Sequence, residues 1–358
     1  MQFGVYLGIS HVREQREMNV NHATLHIVQS TGGDHLTEDA AWGCLYEQSA
    51  TLVTADGAAV RLHPVKSLQQ LQDKYAPQYS PEVTPSGVVS RLIRDTVAEL
   101  SGVFPPLSPK QMMIRANQRL ANELAMIYGE LSAAAITKRE PHLTLLNEDE
   151  RYIRLALPVA TYAVARANWQ DQTLDIVQGA DAAVFILYRD GRFTQVTPDQ
   201  MAQHDAASRD ILASQTDAPA QHPFFQQLGD TRSMEVNRRN GLYHNYVNPE
   251  GEIDLAVGVS VVNGLPQMAD YMFQTQVSLA DIQAVLVTSD GMFWPSAPDE
   301  TAEAAEQRVQ QMGERIIRDG LDGYLVALRA QETHLKESGI NPHQKHDDAT
   351  GVMLRLPG

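Results

Sequence analysis

The residues best suited to chemistry are acids at the ends of apolar runs. The string LVTADG spans residues 52–57 and LVTSDG spans 286–291, so a β-branched stretch twice runs directly into Asp-Gly, at Asp56 and Asp290. Two further acidic strings flank such runs: TEDAAWG, with Asp39 just before AAWGCLY, and HDDATGVMLRL, with Asp347-Asp348 just before TGVMLRL. Read alone, each Asp-Gly after a strand is a turn signal, and Asp347-Asp348 is a solvated turn. Read together, these acids could share one site. Clustered carboxylates repel, and they are relieved by protonation or by a cation. Oxygen ligands without thiolate favour Mg²⁺ or Mn²⁺ over zinc. Two such ions bridged by an aspartate would bind phosphate oxygens and acidify a water for in-line hydrolysis of a phosphate ester.

The elements that must position these acids can be read around them. Runs rich in Val, Ile, Thr and aromatics predict strands at 23–28, 40–46, 50–55, 154–167, 174–177, 182–188, 193–197, 284–289 and 350–356. The strands at 40–46 and 50–55 are joined by a three-residue connection, so they are expected to pair as a hairpin. That pairing puts Asp39 and Asp56 at the same end of a sheet. If the strands at 284–289 and 350–356 pair antiparallel, Asp290 and Asp347 also share one end. The glycine after each Asp leaves room for close approach to the backbone, and the carbonyl of Gly57 is itself a possible ligand.

Helices are predicted at 84–100, opened by Thr84-Pro85, and at 108–131, opened by SPKQ. A third helical stretch, 299–335, starts at Asp299 and should break at Gly320 and Gly323. Residues 198–250, with HPFF, RRNG and NPEG, read as an irregular excursion. Strands in hairpin-like series with a few long helices favour an α+β fold with antiparallel sheets over a doubly wound parallel sheet. No strong linker divides the chain, so residues 1–358 are expected to form a single domain.

The chain is 43% hydrophobic and 20% charged, an ordinary globular composition. Its formal charge of −16 argues against non-specific binding to nucleic acid or an anionic membrane, though not against cations. No stretch approaches the length of a membrane span, and MQFGVYLGIS lacks the basic start and apolar core of a signal peptide. One cysteine, Cys44, cannot form an internal disulfide, so a cytoplasmic setting is expected. P-loop, HExxH, GxSxG and CxxC patterns are absent.

In their order, TEDAA (37–41), VTADGAA (53–59), VTSDGMF (287–293) and HDDATGVMLRL (346–356) resemble the metal-dependent protein phosphatases of type 2C in their bacterial form. VQGADAAVFILYRDGRFTQVT (177–197) and LPVATYAVARA (157–167) resemble the strands between, and the resemblance extends over roughly residues 37–356. It implies an antiparallel β-sandwich flanked by helix pairs, in four layers α-β-β-α, with two or more Mg²⁺ or Mn²⁺ ions at one end. By position, Asp56 should bridge the metals and Gly57 should offer its carbonyl, while Asp290 and Asp347 hold one ion. Glu38 and Asp39 should act on the second ion directly or through water. Asp348 should orient its neighbour or a water, and His346 could act as a general acid or as a donor beside the ligands.

The implied activity is that of a protein serine/threonine phosphatase, with a phosphorylated protein as partner and a partner kinase as its source. The sequence departs from the family in three places. Asp34 stands near the position where the family often has a phosphate-clamping arginine, the nearest upstream arginines being Arg13 and Arg16. Ala58 follows the first Asp-Gly, and Gly179-Ala180-Asp181-Ala182 replaces a Gly-Asp-Ser string. Arg238 and Arg239 are other candidates for phosphate. The rival readings are a catalytically silent binding protein of the same fold, a small-molecule phosphatase lidded by 198–250, and a calcium-binding structural protein.

Overall fold

The computed structural model describes residues 18–20, 23–32, 37–62, 65–204, 206, 208, 218–296, 300–338 and 346–357. The N-terminal stretch read for a leader, Arg13, Arg16, Asp34 and Asp299 lie outside them.

Two sheets form the centre. One has the order β1 (Met18–Val20), β2 (Ala23–Ser30), β11 (Ala349–Arg355), β10 (Ile282–Thr288), β7 (Ala183–Tyr188) and β8 (Phe193–Gln195). The other has the order β3 (Ala40–Leu45), β4 (Ser49–Ala58), β5 (Val159–Asn168), β6 (Thr173–Gly179) and β9 (Phe273–Ser278). Every ladder is antiparallel.

The strands read as nearly unbroken apolar runs because both faces of each sheet are covered. Successive side chains of β4 point opposite ways. Leu52 joins Leu25, Ile176 and Val352 between the sheets, whereas Val53 faces Leu92, Ile93, Met112 and Leu124 on the helical side. Those residues belong to α2 (Pro85–Ser101) and α3 (Pro109–Tyr128), which follow a short α1 (Gln69–Tyr75). The second sheet is covered by a long helical segment, Ala302–Glu337, through Ile316, Leu321, Tyr324 and Leu328 against Phe185, Leu286 and Met353. The layers are therefore α-β-β-α, the α+β sandwich expected from the sequence.

Helix starts follow local chemistry. Thr84 Oγ1 accepts from the Gly87 N–H with Pro85 at the first helical position, and Ser108 and Gln111 form a capping box on α3. The long segment breaks at Gly320 alone of the two expected glycines, where φ is +72°.

Several boundaries differ from the sequence reading. The run at 154–167 opens as a short helix, Ile153–Ala156, and becomes strand only at Val159, after Pro158. Strand β4 continues through Asp56 and Gly57 to Ala58, because both residues pair with β5, opposite Thr161 and Ala160. The excursion at 198–250 is less irregular than expected, holding helices at Pro223–Gln227 and Arg232–Arg239.

The sheets approach closely at Gly43, where an added Cβ would lie 2.8 Å from Leu25 Cδ1 and 3.0 Å from Val352 Cγ1. Gly43→Val is expected to destabilise the protein by about 1–3 kcal/mol through overpacking, measured as a lower midpoint in urea unfolding.

Candidate active site

The hairpin expected between 40–46 and 50–55 forms, with Ala40 opposite Ala55. Asp39 thus enters β3 at the end where Asp56 sits on β4. In the facing sheet, Thr288 at the end of β10 pairs with Gly351 of β11, which brings Asp290 and Asp347-Asp348 to a common end. That end is the same one. Ser289 Oγ donates to Asp39 Oδ2 at 2.7 Å across the two sheets, and the hydroxyl of Thr350 lies near the same carboxyl.

Burial and mutual repulsion dominate the electrostatics. Asp39 is 1% exposed. Burial pushes its carboxyl up to about 7, opposed by the Ser289 hydrogen bond and by contact with Asp56. Asp56 is held well above the usual carboxylate range by burial and then by the charges of Asp39, Asp290 and Asp181. Asp290 is raised to about 6, again by burial first and then by the charge of Asp347. The two Asp-Gly strings therefore meet.

Glu38 and Asp348 are engaged by neighbouring backbone and helix. The carboxylate of Asp348 accepts from the Gly32 N–H at 2.8 Å and the Glu38 N–H at 2.7 Å, tying β11 to the segment before β3. The Thr84 hydroxyl, at the cap of α2, donates to the Glu38 carboxylate. Asp347 is exposed, and its Oδ1 accepts from the Asp348 N–H at 3.0 Å. His346 turns away from the acids toward the long C-terminal helix, contacting Glu332 at 2.9 Å and Thr333 at 3.3 Å.

The glycines after the aspartates are needed for the protein's own backbone. A Cβ on Gly57 would lie 2.8 Å from the Ser86 carbonyl oxygen at the start of α2, and one on Gly291 would lie 1.8 Å from that of Asp348.

The oxygen-rich donor set suits a hard divalent cation. Asp39 Oδ1 is buried without a hydrogen-bond partner, and the carboxyls of Asp39, Asp56 and Asp290 are crowded together and raised above the ordinary range, so the chemistry fits. The geometry is not a finished ligand shell: among the described residues, no group of three His, Cys, Asp or Glu side chains is arranged to hold a metal ion. The carboxylates of Glu38, Asp347, Asp348 and Asp39 each accept from a protein donor through at least one oxygen.

Three participants escape the sequence reading. Ser289 is one of them, although it is the only letter in which LVTSDG departs from LVTADG. Asp181 lies in the β6–β7 connection that crosses between the sheets at this end, and it obeys the same rule of acids at strand ends. Arg91, 5% exposed on α2, donates to the carbonyls of Gly87 and Thr37 at 2.8 Å each. Burial lowers its pKa to about 10. Arg238 and Arg239 do not serve the acids: Arg238 binds Asp230 and the Arg61 carbonyl, and Arg239 binds Glu235.

The sequence matches no known family and no curated protein. Among solved structures the chain is similar to RsbX, crystallised with magnesium, at 9% identity and a TM-score of 0.46, covering 96% of this chain and 100% of that one. It is also similar to the serine/threonine phosphatase PstP/Ppp of Mycobacterium tuberculosis, at 16% identity, TM-score 0.45 and 94% and 99% coverage. A third is the serine/threonine phosphatase Stp1 from Staphylococcus aureus, at 12% identity, TM-score 0.43 and 99% coverage of both chains.

The raised carboxyls make a signed prediction. Their folded-state pKa values exceed the unfolded value of 3.8, so their contribution to stability is fully present below about pH 4 and is lost as pH rises through about 6 and 7. With chelator present, stability to urea should be lower at pH 8 than at pH 5, by on the order of 2 kcal/mol. Asp39→Asn should remove part of that fall, and Mn²⁺ should restore stability chiefly at the higher pH.

Proposed function

We propose that the protein is a divalent-metal-dependent phosphomonoester hydrolase acting on phosphoserine or phosphothreonine in proteins. The observation that carries this reading is the convergence of buried Asp39 with half-buried Asp56 and Asp290 from two facing sheets, each held above the ordinary carboxylate range. The ordered acidic strings of the sequence point the same way.

Asp56, Asp290 and Asp347, with the Gly57 carbonyl, Asp39 and Glu38, would hold Mg²⁺ or Mn²⁺. When bound, the ions supply positive charge for phosphate oxygens and acidify a water for in-line attack. The chain's own contribution is placement and exclusion of water. Asp39 and Asp56 hold their carboxyls in contact inside the sandwich. Asp348 uses both oxygens to fix the segment that carries Glu38. Ser289 orients Asp39 from the opposite sheet.

Substrate would approach over α2. A cavity of about 510 Å³ is bordered by Glu38, Thr84 and Ser86 on the side of the acids and by Val60, Leu68 and Lys66 beyond them. Among the described residues of its lining, Lys66 is the one basic side chain. The arginine nearest the acids on α2, Arg91, spends donors on backbone carbonyls, so among the described residues phosphate recognition would fall to the ions and to groups at this rim.

A silent binding protein of the same fold is the second reading, favoured by the lack of a finished ligand shell among the described residues. Phosphate release from an aryl phosphate and from phosphopeptides, with Mn²⁺ and with chelator, separates the two. Wild type should be active only with metal, and Asp56→Ala and Asp290→Ala should each abolish turnover while remaining folded by circular dichroism. Tight phosphopeptide binding without release would favour the silent reading. Metal-dependent turnover retained in both variants would overturn the site assignment.

A further inference from the structure

Each of residues 346–348 is gripped by a different group, and two of the grips come from one turn of the long C-terminal helix. Glu332 is 4% exposed. Its Oε2 lies 2.8 Å from Arg329 Nη1 and 2.9 Å from His346 Nδ1. Arg329 Nη2 donates to the carbonyl of Asp347. Thr333 Oγ1 donates to the Arg329 carbonyl at 2.9 Å and lies 3.3 Å from His346 Nε2. Both ring nitrogens of His346 are therefore engaged from adjacent positions of the helix.

We infer that Arg329 and Glu332 are positioning residues, which set the backbone at Asp347, the residue proposed above as a metal ligand. Three facts support this. Asp347 is exposed, so packing does not hold its side chain. Its carboxylate is nevertheless oriented, by the Asp348 N–H at 3.0 Å. What fixes the peptide that carries it is the Arg329 bond on its carbonyl, with the guanidinium steered by Glu332. The pair joins a buried Glu332 to a partly exposed Arg329, an arrangement that contributes little net stability once desolvation is counted. It does fix geometry, which an exposed ligand on a strand-entry segment needs.

The inference rests on the metal-dependent reading, through the ligand role of Asp347, and its test separates the two. Mn²⁺ affinity is measured by calorimetry for wild type, Arg329→Met, Asp347→Ala and the double variant. Amide hydrogen exchange of residues 346–349 is followed in metal-free protein. Arg329→Met should weaken Mn²⁺ binding by about tenfold, the scale of outer partners of a metal ligand. It should speed exchange at 346–349 with little change elsewhere. The double variant should bind no worse than Asp347→Ala, because both substitutions remove one interaction. Arg329→Lys should recover part of the loss, and Glu332→Gln should give a smaller loss than Arg329→Met. Unchanged exchange in Arg329→Met, or additive losses in the double variant, overturns the positioning role while wild-type Mn²⁺ binding stands. A wild type that binds no Mn²⁺ overturns the metal-dependent reading, and the positioning role with it.

Discussion

The hydrogen bond from Ser289 to Asp39 joins two sheets at the place where they would otherwise be driven apart. Crowded carboxylates of like charge repel, and with Asp39 buried and Asp56 and Asp290 half-buried water screens that repulsion poorly. Here the repulsion is opposed by the sandwich core behind the acids. Leu52, Val352 and their neighbours hold the sheets together along their length, so the carboxyls at the end have little room to separate. The raised pKa values follow from burial first and from that confinement second. The fold spends some of its stability on keeping the acids together, and under the proposed metal-dependent reading a cation would relieve that repulsion.

Much of this was legible in the sequence because it depends on strand ends. A strand's apolar run announces its length, and the acid at its boundary announces where the sheet stops. Two hairpin-like pairings then fix which ends coincide, and the structure has both, with Ala40 opposite Ala55 and Thr288 opposite Gly351. Other features depended on contacts that no local pattern carries. Asp348 binds amides more than 300 residues away, so its role as a tie could not be read from HDDAT. Strand β9, FQTQVS, is polar at alternate positions and lies at a sheet edge, where one face meets solvent. Its weak apolar signal reflects that position. The short helix at Ile153–Ala156 was hidden because its residues are as apolar as the strand that follows Pro158.

The excursion after β8 is held firmly against the sheet. Arg154 is 5% exposed and donates to the carbonyls of His244 and Asn245. Asn245, at φ +50°, uses its side chain to bind the Val261 backbone and Asn263. Met201, Val259 and Val261 pack with Ala58, Val159 and Ala180, residues that adjoin Gly57 and Asp181. The polar turns that made this stretch look irregular are the groups that dock it. The bonds of Arg154 and Asn245 are directed inward, so the described residues around 243–246 form a wall beside the acids.

Strand β11 lies between β2 and β10 in its sheet and directly follows Asp347 and Asp348. Its insertion completes both ladders, and the amides of Gly32 and Glu38 then find Asp348. The site is thus closed by ties between segments 316 and 310 residues apart in sequence. Non-local pairing of this kind is slow relative to local structure. A sandwich without β11 would leave β2 and β10 each lacking one partner and the ties from Asp348 unmade, so one central strand couples the integrity of its sheet to the assembly of the acid cluster.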